Sequence, residues 1–541
     1  MLTKITNIEK DSLNTVKGEF RMPYKNIAEL LILNANRYPQ KTAIIYKGKR
    51  ITYSELNSKV NQIARGLLDF GIGVGDKVGY LLPNSNQLIE IYFAIQKIGA
   101  IAVPLNFRLV PREISYLVNA GDCKALIFSD QFISKVDAIK LELPKLKFFI
   151  CSGNSSQHYW NLESIAEMNS EEEPLLFQNE NALSRIQFTG GTTGVPKGVM
   201  RTHHNDIAEI MSVMMSSKMA ANPDEIVLIQ CPLEHHGGHS WFVSVIGTGA
   251  TLIICDKFRE EDILSLIEEE KVTYLLLLPP STYLRLLNAP NFSKYDVSSV
   301  RLVQSAAGIT CSEITQRIYK GFPNCQMNYG WGQTESGTGS SLILTLEMAE
   351  KDLPEMNSIG KPMPFLEMKI IDDKNEEVPI GEVGECVVKG PTTMIGYYNH
   401  PEINKEIMID GGWVRTGDMM KKDENGYYYL MSRKKDMIKS GGENVFAQEV
   451  VKTIRSHPSV ENCIVFGVPD EKLGEAVMTV VQLRNGCTLT LEELQNHCKA
   501  YISSYKKPLY LDFINQFPMN DAGKIQKYKL IQKYREKLCA H

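Results

Sequence analysis

The stretch KVGYLLPNSNQLIEIYFAIQKIGAIAVP, residues 77–104, alternates strand-like and helix-like apolar patterns. Residues 77–82 are a short apolar run of the kind that forms a buried strand, and residues 84–99 carry apolar side chains at helical spacing. Residues 100–104 are again an apolar run. Strands that alternate with helices in this way predict a largely parallel sheet that is covered by helices.

The alternation extends beyond this stretch and returns in the middle of the chain. A helical pattern at 112–119 comes next, and further strand-like runs lie at 125–128, 225–230, 251–255 and 274–278. Helical patterns separate the later runs from one another. The sequence therefore predicts a second doubly wound sheet.

After about residue 365 the pattern changes to short strands separated by Gly, Asp and Asn turns, as in a small β-barrel or meander. Beyond residue 433, helical and strand patterns form a compact α+β unit, with helices at 447–457 and 491–500 and strands at 460–468 and 476–483. The predicted fold is α/β. A large N-terminal domain, 1–434, holds two doubly wound sheets plus a small β-barrel, and a small α+β C-terminal domain spans 435–541.

Composition limits the classes of protein that the chain can belong to. Its 541 residues exceed one ordinary core, and its net charge of −4 comes from well-mixed acidic and basic residues, so nothing points to nucleic acid. Eleven cysteines without a CxxC pair suggest reduced thiols in the cytoplasm. The longest apolar runs fall short of the ~20 residues that span a bilayer. We expect a cytoplasmic protein without a transmembrane segment, and association with a membrane surface stays open.

A segment rich in glycine and threonine, TGGTTGVPKG at 189–198, has the composition of a phosphate-binding loop. Glycine lets backbone N–H groups turn toward an anion, threonine hydroxyls add donors, and lysine adds a positive charge. The residues predicted to bind polyphosphate are Thr189, Gly190, Gly191, Thr192, Thr193, Gly194 and Lys197. A flexible surface loop is the alternative interpretation. Because Gly198 follows Lys197, the spacing is not that of a P-loop kinase or GTPase.

This segment and several later ones, in the same order, resemble the motifs of the adenylate-forming enzymes. That superfamily includes acyl- and aryl-CoA synthetases, the adenylation domains of peptide synthetases, and firefly luciferase. The later segments are GWGQTE at 330–335, GWVRTGD at 412–418, RKKDMIKSGGEN at 433–444 and PMNDAGKI at 518–525. The resemblance covers roughly residues 25–535.

The resemblance implies a role for the residues around ATP. Trp331 would stack on adenine beside Gly332, Thr334 would bind the α-phosphate, and Glu335 would hold Mg²⁺, a hard cation that prefers carboxylate and phosphate oxygens. Asp418 would accept both ribose hydroxyls. The loop that would wall the acid pocket and contact adenine contains Ser305, Ala306, Ala307 and Gly308.

The resemblance also implies that the C-terminal domain is mobile and rotates between the two half-reactions. Arg433 would contact ribose or phosphate, and Lys435 would be the hinge. Gly441 and Gly442 would lie where a pantetheine arm passes. Lys439, in the same segment, would also bind a cofactor. Lys524 would be the catalytic lysine that bridges the substrate carboxylate and the α-phosphate. Ser432 and Ala447 depart from the residues usual in the family, but neither change removes a catalytic group.

The segment CPLEHHGGH, residues 231–239, is where the resemblance implies the mouth of the acid pocket. His235 matches the catalytic histidine at that mouth, and His236 lies next to it in the substrate pocket. Glu234 replaces the usual aromatic residue, either to recognise a polar or cationic acid or to orient His235. Amino-acid domains usually carry Asp in this segment, which disfavours an amino acid, and an aryl acid stays open. The three histidines His235, His236 and His239 could together form a zinc site, and the alternative for His239 is a hydrogen-bonded core or pocket-rim histidine.

The predicted function is the ATP-dependent activation of a carboxylic acid to an acyl-adenylate, followed by transfer to the thiol of coenzyme A. The cofactors are ATP, Mg²⁺ and coenzyme A, or a phosphopantetheine arm in its place. One alternative is a stand-alone ligase that loads the phosphopantetheine of an acyl carrier protein. There are three further alternatives: a luciferase-type oxidation, a metal-dependent hydrolase built on the histidines, and a non-enzymatic binding protein.

Overall fold

The structure, a computed structural model, describes most of the chain. The described residues are 24–154, 158–189, 196–217, 219, 222–306, 310–440, 443–470, 472–519, 525–527, 529–531 and 533–534. Within them, no helix combines the length and the apolarity needed to cross a membrane.

The helices and strands follow the predicted alternation. The helices are α1 (Glu29–Arg37), α2 (Tyr53–Asp69), α3 (Asn86–Lys97), α4 (Pro111–Ala120), α5 (Ile133–Asp137), α6 (Leu162–Glu167), α7 (His203–Ser217), α8 (His236–Thr248), α9 (Glu260–Glu270), α10 (Pro280–Leu287), α11 (Ser312–Gly321), α12 (Leu346–Glu350), α13 (Pro401–Ile407), α14 (Ala447–Arg455) and α15 (Leu491–Tyr501). The strands of the first half are β1 (Thr42–Tyr46), β2 (Lys49–Thr52), β3 (Lys77–Leu81), β4 (Ile101–Pro104), β5 (Cys123–Ser129), β6 (Phe148–Ser152), β7 (Trp160–Asn161), β8 (Leu183–Thr189), β9 (Lys197–Thr202), β10 (Ile226–Ile229), β11 (Thr251–Ile254) and β12 (Tyr274–Leu276). The later strands are β13 (Leu302–Ala306), β14 (Gln326–Gln333), β15 (Gly337–Leu344), β16 (Lys361–Pro362), β17 (Glu367–Ile371), β18 (Gly384–Lys389), β19 (Gly396–Tyr397), β20 (Met408–Ile409), β21 (Trp413–Lys422), β22 (Tyr428–Arg433), β23 (Met437–Ser440), β24 (Glu443–Phe446), β25 (Val460–Asp470), β26 (Gly474–Leu483) and β27 (Tyr510–Phe513).

Two large sheets form the first part of the chain. In the described residues, sheet one has the order β19-β9-β8-β4-β3-β5-β6-β7 and sheet two has the order β16-β15-β14-β13-β12-β10-β11-β1-β2. The central strands of both sheets pair in parallel and are apolar on both faces, as strands covered by helices must be. This confirms the predicted α/β fold with two doubly wound sheets.

A layer of helices joins the two sheets. One continuous apolar core includes Tyr80 of β3, Ile229 of β10 and Leu252 of β11, together with side chains of α2, α3, α7 and α8. Helix α2 begins with a capping box in which Thr52 and Glu55 satisfy each other's backbone N–H groups, so local sequence fixes its start. The carboxyl ends of β8, β10 and β13 lead into the segments predicted to form the site.

The third sheet consists of β17, β18, β20, β21 and β22 and is antiparallel. In the described residues it is a half-barrel, which agrees with the predicted small barrel or meander of short antiparallel strands. One face of it packs an apolar cluster that includes Trp331, Met394 and Tyr428.

The fourth sheet, of β23 to β27, lies in the smaller α+β unit that was predicted. Its two apolar clusters contain only residues between Ile438 and Tyr534. Helix α15 starts with a capping box between Thr490 and Glu493. The boundary between 434 and 435 and the mobility of this unit stay predictions.

Candidate active site

The predicted site residues of the first part of the chain come together at one edge of the two sheets. Strand β13 ends with Ser305 and Ala306, and Ala306 pairs with Gly330 of β14. Strand β14 continues through Trp331 to Gln333 and leads into Thr334 and Glu335. Ligands of doubly wound folds bind outside the carboxyl ends of the strands, and this edge provides such a position.

Asp418 is a fully buried carboxylate on which several polar groups converge. Trp331 Nε1 donates to Asp418 Oδ2 at 2.9 Å, and Gln333 Nε2 donates to the same oxygen at 2.7 Å. Arg433 lies directly opposite Asp418 on the neighbouring strand, with Nε 2.8 Å from Oδ1. Burial raises the pKa of the Asp418 carboxyl against the influence of these partners. Asp418, which was predicted to bind ribose, thus lies beside the edge of Trp331, which was predicted to stack on adenine. The role of Asp418 stays a prediction.

Glu335 and Lys197 meet around Tyr397. The Tyr397 hydroxyl donates to Glu335 Oε1 at 2.8 Å, and Lys197 Nζ lies 5.2 Å from the centre of the Tyr397 ring. Tyr397 is placed there because β19 pairs with β9, the strand that begins at Lys197. Tyr397 lies outside the segments that were assigned to the site from the sequence, so the sequence alone did not identify its contact with Glu335.

Beneath this edge lies a charge cluster, defined here as Arg185, Arg201, Asp206, Glu209 and His236. Arg185 and Arg201 face each other across β8 and β9, and Asp206 accepts hydrogen bonds from both guanidinium groups. All five side chains are almost inaccessible to solvent. Burial lowers the pKa of the His236 imidazole, so the charged members are Arg185, Arg201, Asp206 and Glu209, which are stable there because they are paired.

The charge cluster connects His236 with the segment that begins at Thr334. Glu209 lies 3.0 Å from His236 Nε2, and it accepts from the main chain and the hydroxyl of Thr338. Arg201 Nη1 donates to the carbonyl of Thr334 at 3.3 Å. The sequence did not identify Arg185, Arg201, Asp206 and Glu209, whereas it had predicted His236 and Thr334. The available signal was a charged residue, Arg185, in the middle of the strand that leads into the predicted phosphate loop.

The three neighbouring histidines have different surroundings and do not form a shared cation site. Arg185 Nη2 lies 2.9 Å from His236 Nδ1, and a guanidinium at that position disfavours a metal ion. The His239 ring packs edge-on against Tyr92 and Phe242, and burial lowers its pKa well below the usual range. In the described part of the chain, no group of three or more His, Cys, Asp or Glu residues is arranged to hold a metal.

Glu234 lies just before helix α8, which begins at His236 with His235 as its N-cap. The Glu234 side chain is 2% exposed, and burial raises its pKa to about 7. Neither carboxyl oxygen has a hydrogen-bond partner among the described residues. Ser305 Oγ, at the end of β13, is also buried and has no such partner within the same ranges.

Some predicted residues lie outside the part of the chain that the structure describes, and others lie within it. Those that lie outside the described residues are Gly190, Gly191, Thr192, Thr193, Gly194, Ala307, Gly308, Gly441, Gly442 and Lys524. Lys435 belongs to a short 3-10 turn, Lys434–Asp436, and Lys439 belongs to β23. The roles assigned to all of them stay predictions.

Two family models match the chain. One, described as the AMP-binding enzyme, matches residues 32–398, and the other, the AMP-binding enzyme C-terminal domain, matches residues 449–524. The chain belongs to the family of AMP-binding enzymes. This membership confirms the predicted adenylate-forming superfamily.

Individual relatives specify the kind of enzyme further. The medium-chain acyl-CoA ligase ACSF2 of Rattus norvegicus is 31% identical, over 95% of this chain and 88% of its own. The feruloyl-CoA synthase of an Amycolatopsis species is 31% identical, over 93% of this chain and 98% of its own. The crystal structure of ATP-bound MatB from Rhodopseudomonas palustris superposes with a TM-score of 0.84 at 26% identity, covering 94% and 99% of the two chains. These similarities confirm the predicted class, an AMP-forming acid–thiol ligase similar to acyl-CoA synthetases.

Proposed function

We propose that this ligase activates a carboxylic acid with ATP, releases pyrophosphate, and transfers the acyl group from the adenylate to the thiol of coenzyme A. The observation that carries the proposal is the convergence of Trp331, Gln333 and Arg433 on the buried Asp418 carboxylate, next to the Thr334–Glu335 segment. A buried, oriented carboxylate of this kind suits a ligand with two adjacent hydroxyls, such as ribose.

In the first half-reaction, an oxygen of the substrate carboxylate attacks the α-phosphorus of ATP. The bond from that phosphorus to the bridging oxygen breaks, and pyrophosphate leaves. Positioning and charge neutralisation supply the catalysis, because the carboxylate needs no general base. Asp418 would orient the ribose, Thr334 would bind the α-phosphate, and Lys197 would face the β- and γ-phosphates.

Glu335 is suited to hold Mg²⁺. Mg²⁺ is commonly bound by one or two carboxylates together with substrate phosphates, and Glu335 is a half-buried carboxylate with Tyr397 on one of its oxygens. When bound, the ion would neutralise charge on the phosphates. Lys524 would add a positive charge in this step. In the second half-reaction the C-terminal domain would turn about Lys435, and Gly441 and Gly442 would line the path of the thiol.

The names of relatives do not decide which acid is used, because a medium-chain acyl ligase and a feruloyl ligase are equally similar at 31%. They do support coenzyme A as the acceptor rather than a carrier protein. The free thiols of the described cysteines support the cytoplasmic location that the sequence predicted.

Pyrophosphate exchange tests the proposal across fatty, aryl and small polar acids. We expect ATP-dependent exchange with at least one class, and no exchange with any acid would contradict the function. Thiol-dependent release of AMP, measured with coenzyme A and with a phosphopantetheinylated carrier protein, identifies the acceptor.

A further inference from the structure

The Glu234 carboxyl group is buried at a place where the described residues offer it no hydrogen bond. Its side chain is 2% exposed, and both oxygens lack a partner in those parts of the chain. A buried carboxyl without hydrogen bonds is unfavourable whether or not it is ionised. Such a group calls for an explanation, and a ligand that supplies the missing hydrogen bond would be one.

Two side chains, one from β8 and one from the segment that follows β3 of the same sheet, hold the main chain around Glu234. Gln187 Nε2, from β8 of sheet one, donates to the Glu234 carbonyl at 3.0 Å. Asn84 accepts from the Leu233 N–H at 2.8 Å and donates to the Cys231 carbonyl at 3.0 Å. These contacts fix the main chain on both sides of Glu234 and therefore the position from which its side chain starts.

The groups near Glu234 do not neutralise it by contact. Tyr80 and Cys231 lie close enough for the charge of Glu234 to raise their pKa values. Burial raises the pKa of the Cys231 thiol to about 12, so Cys231 is neutral at neutral pH. Arg108 is the described cation whose charge acts favourably on Glu234. The buried Arg185 guanidinium is bound to Asp206.

From this geometry we infer that Glu234 is a specificity-determining residue for a carboxylic acid that carries a second polar group with an N–H or O–H donor. The inference rests on the proposed function, because Glu234 lies in the segment that the resemblance gives to the acid pocket. A carboxyl group accepts a hydrogen bond in either protonation state, so the complementary group must be a donor. Ser305 Oγ, at the same edge of the sheets, is a second buried polar atom that has no hydrogen-bond partner among the described residues.

The test compares acids that differ only in this donor. One series is benzoate with its para-hydroxy and para-amino derivatives, and the other is hexanoate with its omega-hydroxy and omega-amino derivatives. The rate of pyrophosphate release gives kcat/KM for each acid with the full-length enzyme. In at least one series we expect the donor-bearing acids to be preferred by about 10- to 100-fold over the unsubstituted acid.

Three variants assign this preference to Glu234. Glu234→Leu should abolish or invert it. Glu234→Gln should keep the preference for the hydroxyl but lose that for the ammonium group, since the charge is gone. The control is Glu90→Gln, a second buried glutamate that has its own partner in Asn86, and it should leave the ratios unchanged.

The outcomes separate the inference from the proposed function. Equal use of plain and donor-bearing acids, or an unchanged ratio in Glu234→Leu, would overturn the inference and leave adenylation intact. If Glu234→Leu does not fold, Glu234→Gln provides the test. A preference for acids with an ammonium group that survives in Glu234→Gln would also overturn the inference. Absence of pyrophosphate release with every acid in both series and in the wider panel would overturn the proposed function and the inference together.

Discussion

Glu209 lies 3.0 Å from His236 and accepts a hydrogen bond from Arg201 at 2.7 Å, so one buried carboxylate joins the predicted acid pocket to the strand that follows the predicted phosphate loop. Burial alone would raise the pKa of this carboxyl, but His236 and Arg201 outweigh it and lower the pKa below its usual range. Glu209 is therefore ionised in the folded protein at neutral pH.

Glu209→Gln should destabilise the fold because Arg201 and Thr338 lose a charged acceptor. Removing one partner of a buried ion pair costs about 3 kcal/mol. We expect a lower midpoint of thermal unfolding, measured by calorimetry. Glu347→Gln is the matched control, because its ion pair with Lys351 lies on the surface, and it should change little. Equal effects of the two substitutions would show that the charge cluster does not support the fold.

Glu335→Gln should raise the Mg²⁺ concentration that gives half-maximal adenylation. A neutral amide is a poorer ligand for a hard cation than a carboxylate, and we expect an increase of about tenfold or more. Titration of Mg²⁺ at saturating ATP and acid measures the shift. Glu402→Gln, on the exposed helix α13, is the control and should follow the wild-type curve. An unchanged Mg²⁺ requirement in Glu335→Gln would remove Glu335 from the ion's site.

Local pattern was sufficient to predict the central strands. Residues 77–82 and 251–255 were expected as strands and are found at Lys77–Leu81 and Thr251–Ile254, because strands buried on both faces must be apolar along their length. The two edges of the sheets were not predicted. Strand β1 joins sheet two by pairing Ile44 with Leu252, and β19 joins sheet one beside β9. Contacts between segments so far apart in sequence leave no local periodicity.

In the candidate site, too, some residues could be predicted from the sequence and others could not. Motif resemblance indicated Asp418 with its neighbours Trp331 and Arg433, and it indicated Glu335. It did not identify Gln333 beside Asp418 or Tyr397 beside Glu335. Arg201 is an isolated charge in sequence, and its significance comes from facing Arg185 across two strands with Asp206 between them. Two like charges opposite each other are unfavourable without such a bridge, and the bridge comes from a helix.

Lys524→Ala should abolish adenylation and leave the second half-reaction. The resemblance gives Lys524 a role only while the acid attacks the α-phosphorus, so thioester formation from supplied acyl-AMP should persist. Pyrophosphate exchange and thioester formation are measured separately. Lys506→Ala is the control, since that lysine pairs with Glu449 within the C-terminal unit. Loss of both half-reactions in Lys524→Ala alone would count against this assignment.

Glu234 should make the stability of the protein depend on pH between about 4.5 and 7, since burial raises the pKa of this carboxyl from 4.5 to about 7. Below the lower value both states are protonated, and Glu234 imposes no cost through ionisation. As the pH rises, the unfolded chain releases the proton first, so the folded state loses stability until its own carboxyl ionises. The loss amounts to about 3 kcal/mol at most.

Glu234→Gln removes this titration. Unfolding midpoints of the wild type and the variant, compared from about pH 5 to about pH 8, should therefore diverge as the pH rises, with the variant gaining relative to the wild type. A difference that stays constant across that range would mean that Glu234 titrates alike in the folded and unfolded chains. It would also mean that the carboxyl is solvated or paired in the folded protein.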